Sequence, residues 1–281
     1  MTLVSTLCGS NNVVMFADNE ESISDLGKKI VDKLTVWDAP NHPFRFAIAS
    51  ATDDAMYVEM LERKLAAALL AMDAFSLVTI ENELASTLTE FYAHHSPTSL
   101  IEILVTVQPL PSGRPCVFHM SHTAISIPSL SESFKNIGKG AYLADFILPK
   151  LLGAYESNLM LVLAAIYCGK LVHENTPGVG PVERIILLGD SGEYEELGGV
   201  EIKEFEGNMA LFGDVISEAF AVAAIGHEPE TRQALLDYMT EELDAMKARN
   251  TELWERIQPQ IKKRAERRAK MQERKRKASG S

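Results

Sequence analysis

The 281-residue chain has few cysteines and no spacing that would bring them together. Cys8, Cys116 and Cys168 lie far apart in the sequence and form no CxxC pair. This pattern excludes a small disulfide-bonded scaffold and is not typical of a zinc site. We therefore expect a protein of a reducing compartment.

Long hydrophobic runs are also missing. The most apolar run, Leu159–Cys168, is about half of the ~20 residues that a membrane-spanning helix needs. The first residues, MTLVSTLCGS, lack the basic start and the long apolar stretch of a signal peptide. We expect a cytoplasmic protein with no membrane partner.

Several common catalytic signatures do not occur in the sequence. It contains no P-loop, no GxSxG, no HExxH and no GxGxxG before a helix, which excludes the enzyme classes built on them. The local histidine groups are His94-His95 and the pair His119 and His122, and neither has the carboxylates or cysteines of a metal site. We expect no metal and no cofactor.

Positive charge is scarce except at one end. The chain carries a net charge of −12, yet the segment Lys262–Ser281 holds ten Lys or Arg against two Glu, so the rest carries −20. An acidic body argues against nucleic acid as a partner. The basic segment is either a solvated tail or a contact with an anionic partner, such as the acidic surface of a neighbouring copy.

The hydrophobic spacing predicts strands and helices in separate blocks. The β-rich runs are Thr2–Cys8, Val13–Ala17, Lys33–Trp37, Phe44–Ser50, Ile101–Val107, Pro115–Met120, Thr123–Ile127, Val182–Leu188 and Val200–Phe205. The helical patterns cover Val58–Met72, Leu77–Phe91, Ala141–Leu152 and Asn158–Val172. Because helix pairs alternate with groups of strands, we predict an α+β fold of four layers, αββα, with two antiparallel sheets covered by helix pairs.

The C-terminal part has a different pattern. Apolar residues from Leu236 to Ile257 follow a heptad spacing that includes the polar Asn250, and such a helix packs either on a neighbouring subunit or on its own core. Pro259 is expected to interrupt this helix. We predict a domain at residues 1–226, a heptad-patterned helix at 227–260 and a basic tail at 261–281.

The candidate site lies at the front of the chain. Thr2 follows the initiator Met1, Asp18 ends the second β-rich run, and Lys33 opens the third. A free α-amino group on a terminal threonine can act as general base for its own hydroxyl. A nearby lysine would stabilise negative charge and lower the pKa of that amine, and an aspartate would hold the lysine. These residues suggest an N-terminal nucleophile.

With these residues, the chain resembles proteasome β-type subunits, and among them most closely the bacterial proteasome-related Anbu and HslV peptidases. The resemblance covers about residues 2–206. It includes VVMFADNEE around Asp18, VDKLTV around Lys33, the segment Ala47–Leu65, and the motifs GRPCVFHM and NIGKGAYLADFIL. It implies an N-terminal nucleophile hydrolase fold followed here by a helical extension.

The resemblance also implies roles for individual residues. Thr2, Asp18 and Lys33 would be catalytic, and the backbone amide of Ser50 would bind the oxyanion. Glu21, Val31, Ile48 and Met56 would surround the pocket for the residue before the cleaved bond. Two positions depart from the usual pattern: Ser50 stands where glycine is usual, and Lys139 stands where serine is usual.

The predicted function is a threonine endopeptidase that exposes Thr2 by removal of Met1. The resemblance implies a self-compartmentalising homo-oligomer, either a ring or an open helix, which acts on peptides or proteins; an unfoldase partner is not identified by the sequence. Two alternatives stay open. One is a catalytically silent structural subunit of the same fold, and the other is an N-terminal nucleophile amidohydrolase that acts on a small amide.

Overall fold

A computed structural model describes most of the chain. The described residues are 2–23, 27–30, 33–39, 41–52, 55–97, 100–122, 124–126, 133–151, 157–192, 194–210 and 229–279. The boundary predicted at residues 226 and 227 lies outside them. Side chains are described over shorter stretches, and those of residues 20–32 and 268–281 are not among them.

The first sheet contains the N-terminal hairpin. Its strand order is β10-β1-β2-β11-β12, and all neighbouring pairs are antiparallel. The strands are β1 (Val4–Cys8), β2 (Asn12–Asp18), β10 (Phe134–Ile137), β11 (Val182–Gly189) and β12 (Tyr194–Gly198). A short separate hairpin follows β2, formed by β3 (Glu20–Ile23) and β4 (Gly27–Ile30).

The second sheet is a simple meander in the order β5-β6-β7-β8-β9, again antiparallel throughout. The strands are β5 (Leu34–Trp37), β6 (Phe44–Ala51), β7 (Glu102–Pro109), β8 (Cys116–Ser121) and β9 (Ala124–Ser126). The strand β6 is buried along its whole length, as its run of apolar residues predicts for a strand covered on both faces.

Six helices accompany the sheets in the described residues. They are α1 (Ala55–Leu70), α2 (Leu77–His94), α3 (Ala141–Leu151), α4 (Asn158–Asn175), α5 (residues 199–210) and α6 (Pro229–Ser279). Ser76 and Ser157 cap the N-termini of α2 and α4 by accepting hydrogen bonds from the amides of Thr79 and Met160. No described helix is both long and apolar enough to cross a membrane.

Three apolar clusters define the layers. One lies between the first sheet and the helices α3 to α6, and a second lies between the second sheet and the helices α1 and α2. The third cluster fills the space between the two sheets, where Met15 of β2 and Ala49 of β6 are both fully buried. The layer order αββα and the α+β class are therefore confirmed.

One predicted strand is wrong. Residues 200–205 belong to α5, and the last strand, β12, precedes them. Gly198 ends β12, and its amide donates to the Glu201 carboxylate at 3.1 Å, which caps the start of the helix. Ile202 and Phe205 then recur at helical spacing and are buried in the core. A short apolar run does not by itself distinguish a strand from a buried helix.

The expected interruption at Pro259 is also wrong, because α6 runs through it to Ser279. Proline removes one backbone hydrogen bond and disfavours a helix interior. Here Ile257 and Ile261, on either side of Pro259, are both buried in the core. Their packing offsets the local cost, so the core extends into the segment predicted as a tail.

Only some of the heptad-patterned residues are buried in this chain. Asn250, Leu253 and Ile257 are buried against their own chain, and the Asn250 side chain accepts a hydrogen bond from Asn208 at 3.0 Å. Leu243, nearer the start of α6, is instead exposed. The C-terminal half of the pattern therefore serves the core of this chain.

Candidate active site

Thr2 lies just before β1, an inner strand of the first sheet, and is almost completely buried. Its carbonyl accepts a hydrogen bond from the amide of Gly140 at 3.2 Å. Its hydroxyl donates to Oδ1 of Asp18 at 2.8 Å. Both the main chain and the side chain of Thr2 are thus fixed by partners distant in the sequence.

Asp18 is the organising acceptor of the site. It ends β2 next to the start of β1, because the hairpin pairs Val4 with Ala17. Besides the Thr2 hydroxyl, its carboxylate accepts from the amide of Leu3 at 2.7 Å and from the amide of Gly180 at 3.0 Å. A buried carboxylate with this many donors is held in one orientation, and the cost of its burial is offset.

Lys33 completes the cluster from the second sheet. Its Nζ lies 3.1 Å from both carboxylate oxygens of Asp18, and it also donates a hydrogen bond to Oγ1 of Thr2. The Lys33 side chain is 11% exposed and that of Asp18 is fully buried. The structure thus brings the three predicted catalytic residues into one hydrogen-bonded network.

This network suits the Thr2 oxygen for nucleophilic chemistry. A cation that donates directly to a hydroxyl oxygen stabilises the negative charge that develops there when the hydroxyl loses its proton. Asp18 compensates the charge of Lys33 in the resting state, so the burial of the ammonium group does not cost an unpaired ion.

The backbone amide of Ser50 lies on the side of β6 that faces β5. Just beyond the paired residues Phe44 and Pro109, the amide of Leu110 donates to the carbonyl of Pro43 at 2.9 Å. Pro43 and Leu110 are therefore a hydrogen-bonded pair in the ladder of β6 and β7. Such pairs alternate along an antiparallel ladder, so the amide of Ser50 points away from β7. On that side the register of β5 sets Ser50 opposite Lys33, one residue before β5 begins.

The side chain of Ser50 points to the other face of its sheet. Its hydroxyl donates to Oε1 of Glu62 on α1 at 2.5 Å. Glycine at this position would leave no such link. The hydroxyl therefore links the end of β6 to α1.

The predicted pocket residues are less well placed. Ile48 is fully buried beneath α1 and α2, so it has no exposed surface for a substrate. Met56, at the start of α1, is exposed. The side chain of Glu21 and the whole of Val31 lie outside the described residues. The pocket assignments stay predictions.

A glycine-rich turn, Gly138–Gly140, packs against the backbone of Thr2. Gly138 has a φ of +85°, and a Cβ there would lie 2.4 Å from the carbonyl oxygen of Thr2. Only glycine fits such an approach without strain. Lys139, at the position where the sequence departs from the resemblance, points outward and donates to the carbonyl of Pro177 at 3.2 Å.

The contacts from Gly138, Gly140 and Gly180 are the parts of the site that the sequence analysis did not assign. Gly180 lies 162 residues from Asp18. The nearest signal was glycine itself, in the segments Gly138–Gly140 and Gly178–Gly180. In the described part of the chain, no group of three or more His, Cys, Asp or Glu residues is arranged to hold a metal ion.

Comparison with known proteins gives a fold likeness without a sequence match. No family model and no curated protein matches the chain. Among solved structures, Anbu from Hyphomicrobium sp. strain MC1 has a TM-score of 0.64 at 12% identity, with 78% of this chain and 97% of that chain covered. Anbu from Yersinia bercovieri, described as an ancestral β-subunit, has a TM-score of 0.60 at 15% identity, with 75% and 96% covered.

This chain has the Anbu fold. A third structure supports the same conclusion: the Anbu complex of Pseudomonas aeruginosa, solved as a helical assembly, has a TM-score of 0.60 at 13% identity and covers 82% of this chain and 99% of its own. The likeness shows the architecture, and the chemistry depends on this chain's own residues.

Proposed function

We propose that the chain is a threonine-type endopeptidase of a self-associating, proteasome-like assembly. The observation that carries the proposal is the network of Thr2, Asp18 and Lys33, in which a buried ammonium group and a buried carboxylate both contact one threonine hydroxyl. The Anbu fold, which includes one protein solved as a helical assembly, supports self-association.

In the proposed reaction, removal of Met1 leaves a free α-amine on Thr2. This amine accepts the proton of the Thr2 hydroxyl while Oγ1 attacks the carbonyl carbon of the substrate peptide. Lys33 stabilises the developing charge on Oγ1, and the amide of Ser50 donates to the oxyanion. The tetrahedral intermediate collapses, the leaving amine takes the proton, and an ester to Thr2 remains.

Water then completes the cycle. The α-amine of Thr2 accepts a proton from the water, which attacks the ester carbon, and the second tetrahedral intermediate releases a carboxylic acid and the Thr2 hydroxyl. Lys33 and Ser50 act as in the first half. The reaction consumes one water molecule and needs neither a metal nor a redox partner.

The decisive experiment is intact mass spectrometry of the purified protein with and without a peptide epoxyketone. This probe forms a ring with both the hydroxyl and the free amine of an N-terminal threonine, so it reports Met1 removal and nucleophile reactivity together. We expect loss of the Met1 mass and one adduct per chain. A chain that retains Met1 and gains no adduct would instead support the silent structural subunit.

Matched variants give the largest effect that we predict. Thr2→Ala should abolish labelling and peptide turnover, because the attacking oxygen is gone, whereas Thr2→Ser should keep both in part. Thr6→Ala, another buried threonine of the same hairpin, should leave both unchanged. Full activity in Thr2→Ala would exclude the mechanism. Light scattering on the same samples separates a peptidase assembly from a small, open amidohydrolase.

The pocket assignment predicts a preference for middle-sized apolar residues before the cleaved bond. Such side chains gain from burial beside Val31 and Met56, whereas an acidic side chain finds no partner and is near Glu21. A peptide-library profile measures the preference. A profile dominated by acidic residues at that position would contradict the assignments of Glu21, Val31 and Met56 without affecting the role of Thr2.

A further inference from the structure

The turn that carries Gly138 is held by a carboxylate with no role in the mechanism above. Glu102 opens β7 and lies directly opposite Ala51 of β6, so its side chain is on the face of the second sheet that turns toward the first. There, Oε2 of Glu102 accepts a hydrogen bond from the amide of Gly138 at 3.3 Å. This bond links the second sheet to the turn after β10 of the first sheet.

The turn in question contacts Thr2 directly. The amide of Gly140 donates to the Thr2 carbonyl, and the missing Cβ of Gly138 leaves room for that same carbonyl. A shift of the turn would therefore move the backbone of Thr2. Glu102 reaches Thr2 through two consecutive contacts, neither of which involves the Asp18 network.

The carboxylate of Glu102 is itself oriented. Nε2 of His119, on β8, lies 3.5 Å from its second oxygen, and Nδ1 of His119 is 3.4 Å from the hydroxyl of Ser126. Contact with His119, helped by the Gly138 amide and the charge of Lys135, outweighs burial and holds the pKa of Glu102 below its usual range. Glu102 is thus an ionised acceptor at neutral pH.

We propose that Glu102 is a positioning residue, which holds the Gly138 turn against the carbonyl of Thr2 and thereby sets the attack geometry of the nucleophile. This inference rests on the proposed peptidase function. The turn is a separate support from Asp18, because Asp18 fixes the side chain and the following amide, whereas the turn fixes the carbonyl.

The expected consequence is a loss of rate rather than of substrate affinity. A displacement of about 1 Å at a reacting atom can cost about 100-fold in rate. Glu102 lies behind the turn and is not among the predicted pocket residues, so binding should change little. The turn requires an oxygen that accepts the hydrogen bond of the Gly138 amide. A neutral side chain of the same shape, such as glutamine, should therefore hold the turn as well.

The test compares Glu102→Ala with Glu102→Gln in the full-length protein. In Glu102→Ala we expect kcat to fall about 10- to 100-fold, with KM within about twofold, and hydrogen exchange to become faster in the peptide that contains Gly138. In Glu102→Gln the side-chain oxygen still accepts from Gly138, so most of kcat and of the protection should return. Glu183→Ala, a half-buried glutamate on β11, is the matched control and should change neither quantity.

Two results would overturn the proposal. One is unchanged exchange around Gly138 in Glu102→Ala, and the other is a Glu102→Gln variant as slow as Glu102→Ala. Exchange is measured without substrate, so it tests the contact even if the wild-type protein neither cleaves peptides nor reacts with an epoxyketone. A wild-type protein without either activity would contradict the proposed peptidase function. The exchange data would still decide whether Glu102 holds the turn.

Discussion

The candidate site and the helix α6 both rely on charged pairs, but they use them differently. At the site, the Lys33–Asp18 pair lies between the sheets, almost out of contact with water. Along α6, Arg256 pairs with Glu204 at 2.6 Å while both side chains remain largely exposed, at 62% and 44%. An ion pair therefore contributes differently to the free energy of unfolding in the two regions.

The two regions also differ in how apolar side chains and hydrogen bonds hold them in place. The helix α6 attaches to the core through Leu253, Trp254, Ile257 and Ile261, all of which are buried. At the site, hydrogen bonds to the Asp18 carboxylate and from the Gly140 amide fix Thr2. A polar network gives a defined geometry for chemistry, whereas buried carbon gives stability that tolerates small shifts.

Replacing one lysine of a buried ion pair and one of an exposed ion pair tests this difference most strongly. Lys33→Met should lower peptide turnover by about 10²- to 10³-fold, because the cation beside Oγ1 of Thr2 is lost. It should also lower the free energy of unfolding by about 3 kcal/mol, because a buried carboxylate loses its cationic partner. The loss is at the low end of the usual range, because Asp18 keeps three other hydrogen-bond donors. Lys64→Met, which removes an exposed pair with Glu90, should leave turnover unchanged and cost less than about 0.5 kcal/mol.

Turnover and urea denaturation measure these two effects on the same samples. Equal losses in the two lysine variants would remove the distinction between buried and exposed pairs. A Lys33→Met protein with full activity would contradict the proposed role of the lysine, whatever its stability.

Truncation of α6 tests the apolar side of the comparison. The chain ended after Arg267 should melt like the wild type, because the removed residues, RAKMQERKRKASGS, have no apolar stripe to bury. The chain ended after Gln260 also loses Ile261, which is fully buried, and should lose about 2 kcal/mol or more. Thermal unfolding distinguishes the two. A large destabilisation in the chain that ends at Arg267 would contradict the prediction that the basic segment is a solvated tail or a contact with a partner.

Much of this architecture could be predicted from the sequence because it depends on local patterns. The hairpin that joins Thr2 to Asp18 follows from two short β-rich runs and a turn, and Lys33 lies where the next strand begins. The four-layer fold follows from helix pairs that alternate with strands. These predictions need only the nearest neighbours in the chain.

The remaining contacts could not be predicted because they join distant segments. Nothing near Glu102 indicates that its carboxylate meets the amide of Gly138, and nothing near Gly180 indicates Asp18. The helix at residues 199–210 and the continuity of α6 through Pro259 were missed for a related reason. In both cases packing against the core decides the local conformation, and packing is not visible in a window of sequence.

The smallest predicted effects concern two arginines of α6 and their dependence on pH. Arg264 pairs at 2.6 Å with Glu201, a residue that is itself nearly buried, whereas Arg256 pairs with the exposed Glu204. Arg264→Gln should cost about 1 kcal/mol and Arg256→Gln less than about 0.5 kcal/mol. Burial raises the pKa of Glu201, but the hydrogen bond and charge of Arg264, together with backbone amides, outweigh it, so the pKa is lowered.

The sign of the pH effect follows from that lowered pKa. A carboxylate with a lower pKa in the folded state stabilises the protein above its unfolded-state pKa, and the contribution is lost as the pH falls through the folded value. The difference in melting temperature between the wild type and Arg264→Gln should therefore be constant from pH 7 to about pH 5 and shrink below about pH 4. The Arg256→Gln difference, small throughout, is the control. A wild-type advantage over Arg264→Gln that persists at pH 3 would mean that Arg264 contributes through packing rather than through the charge of Glu201.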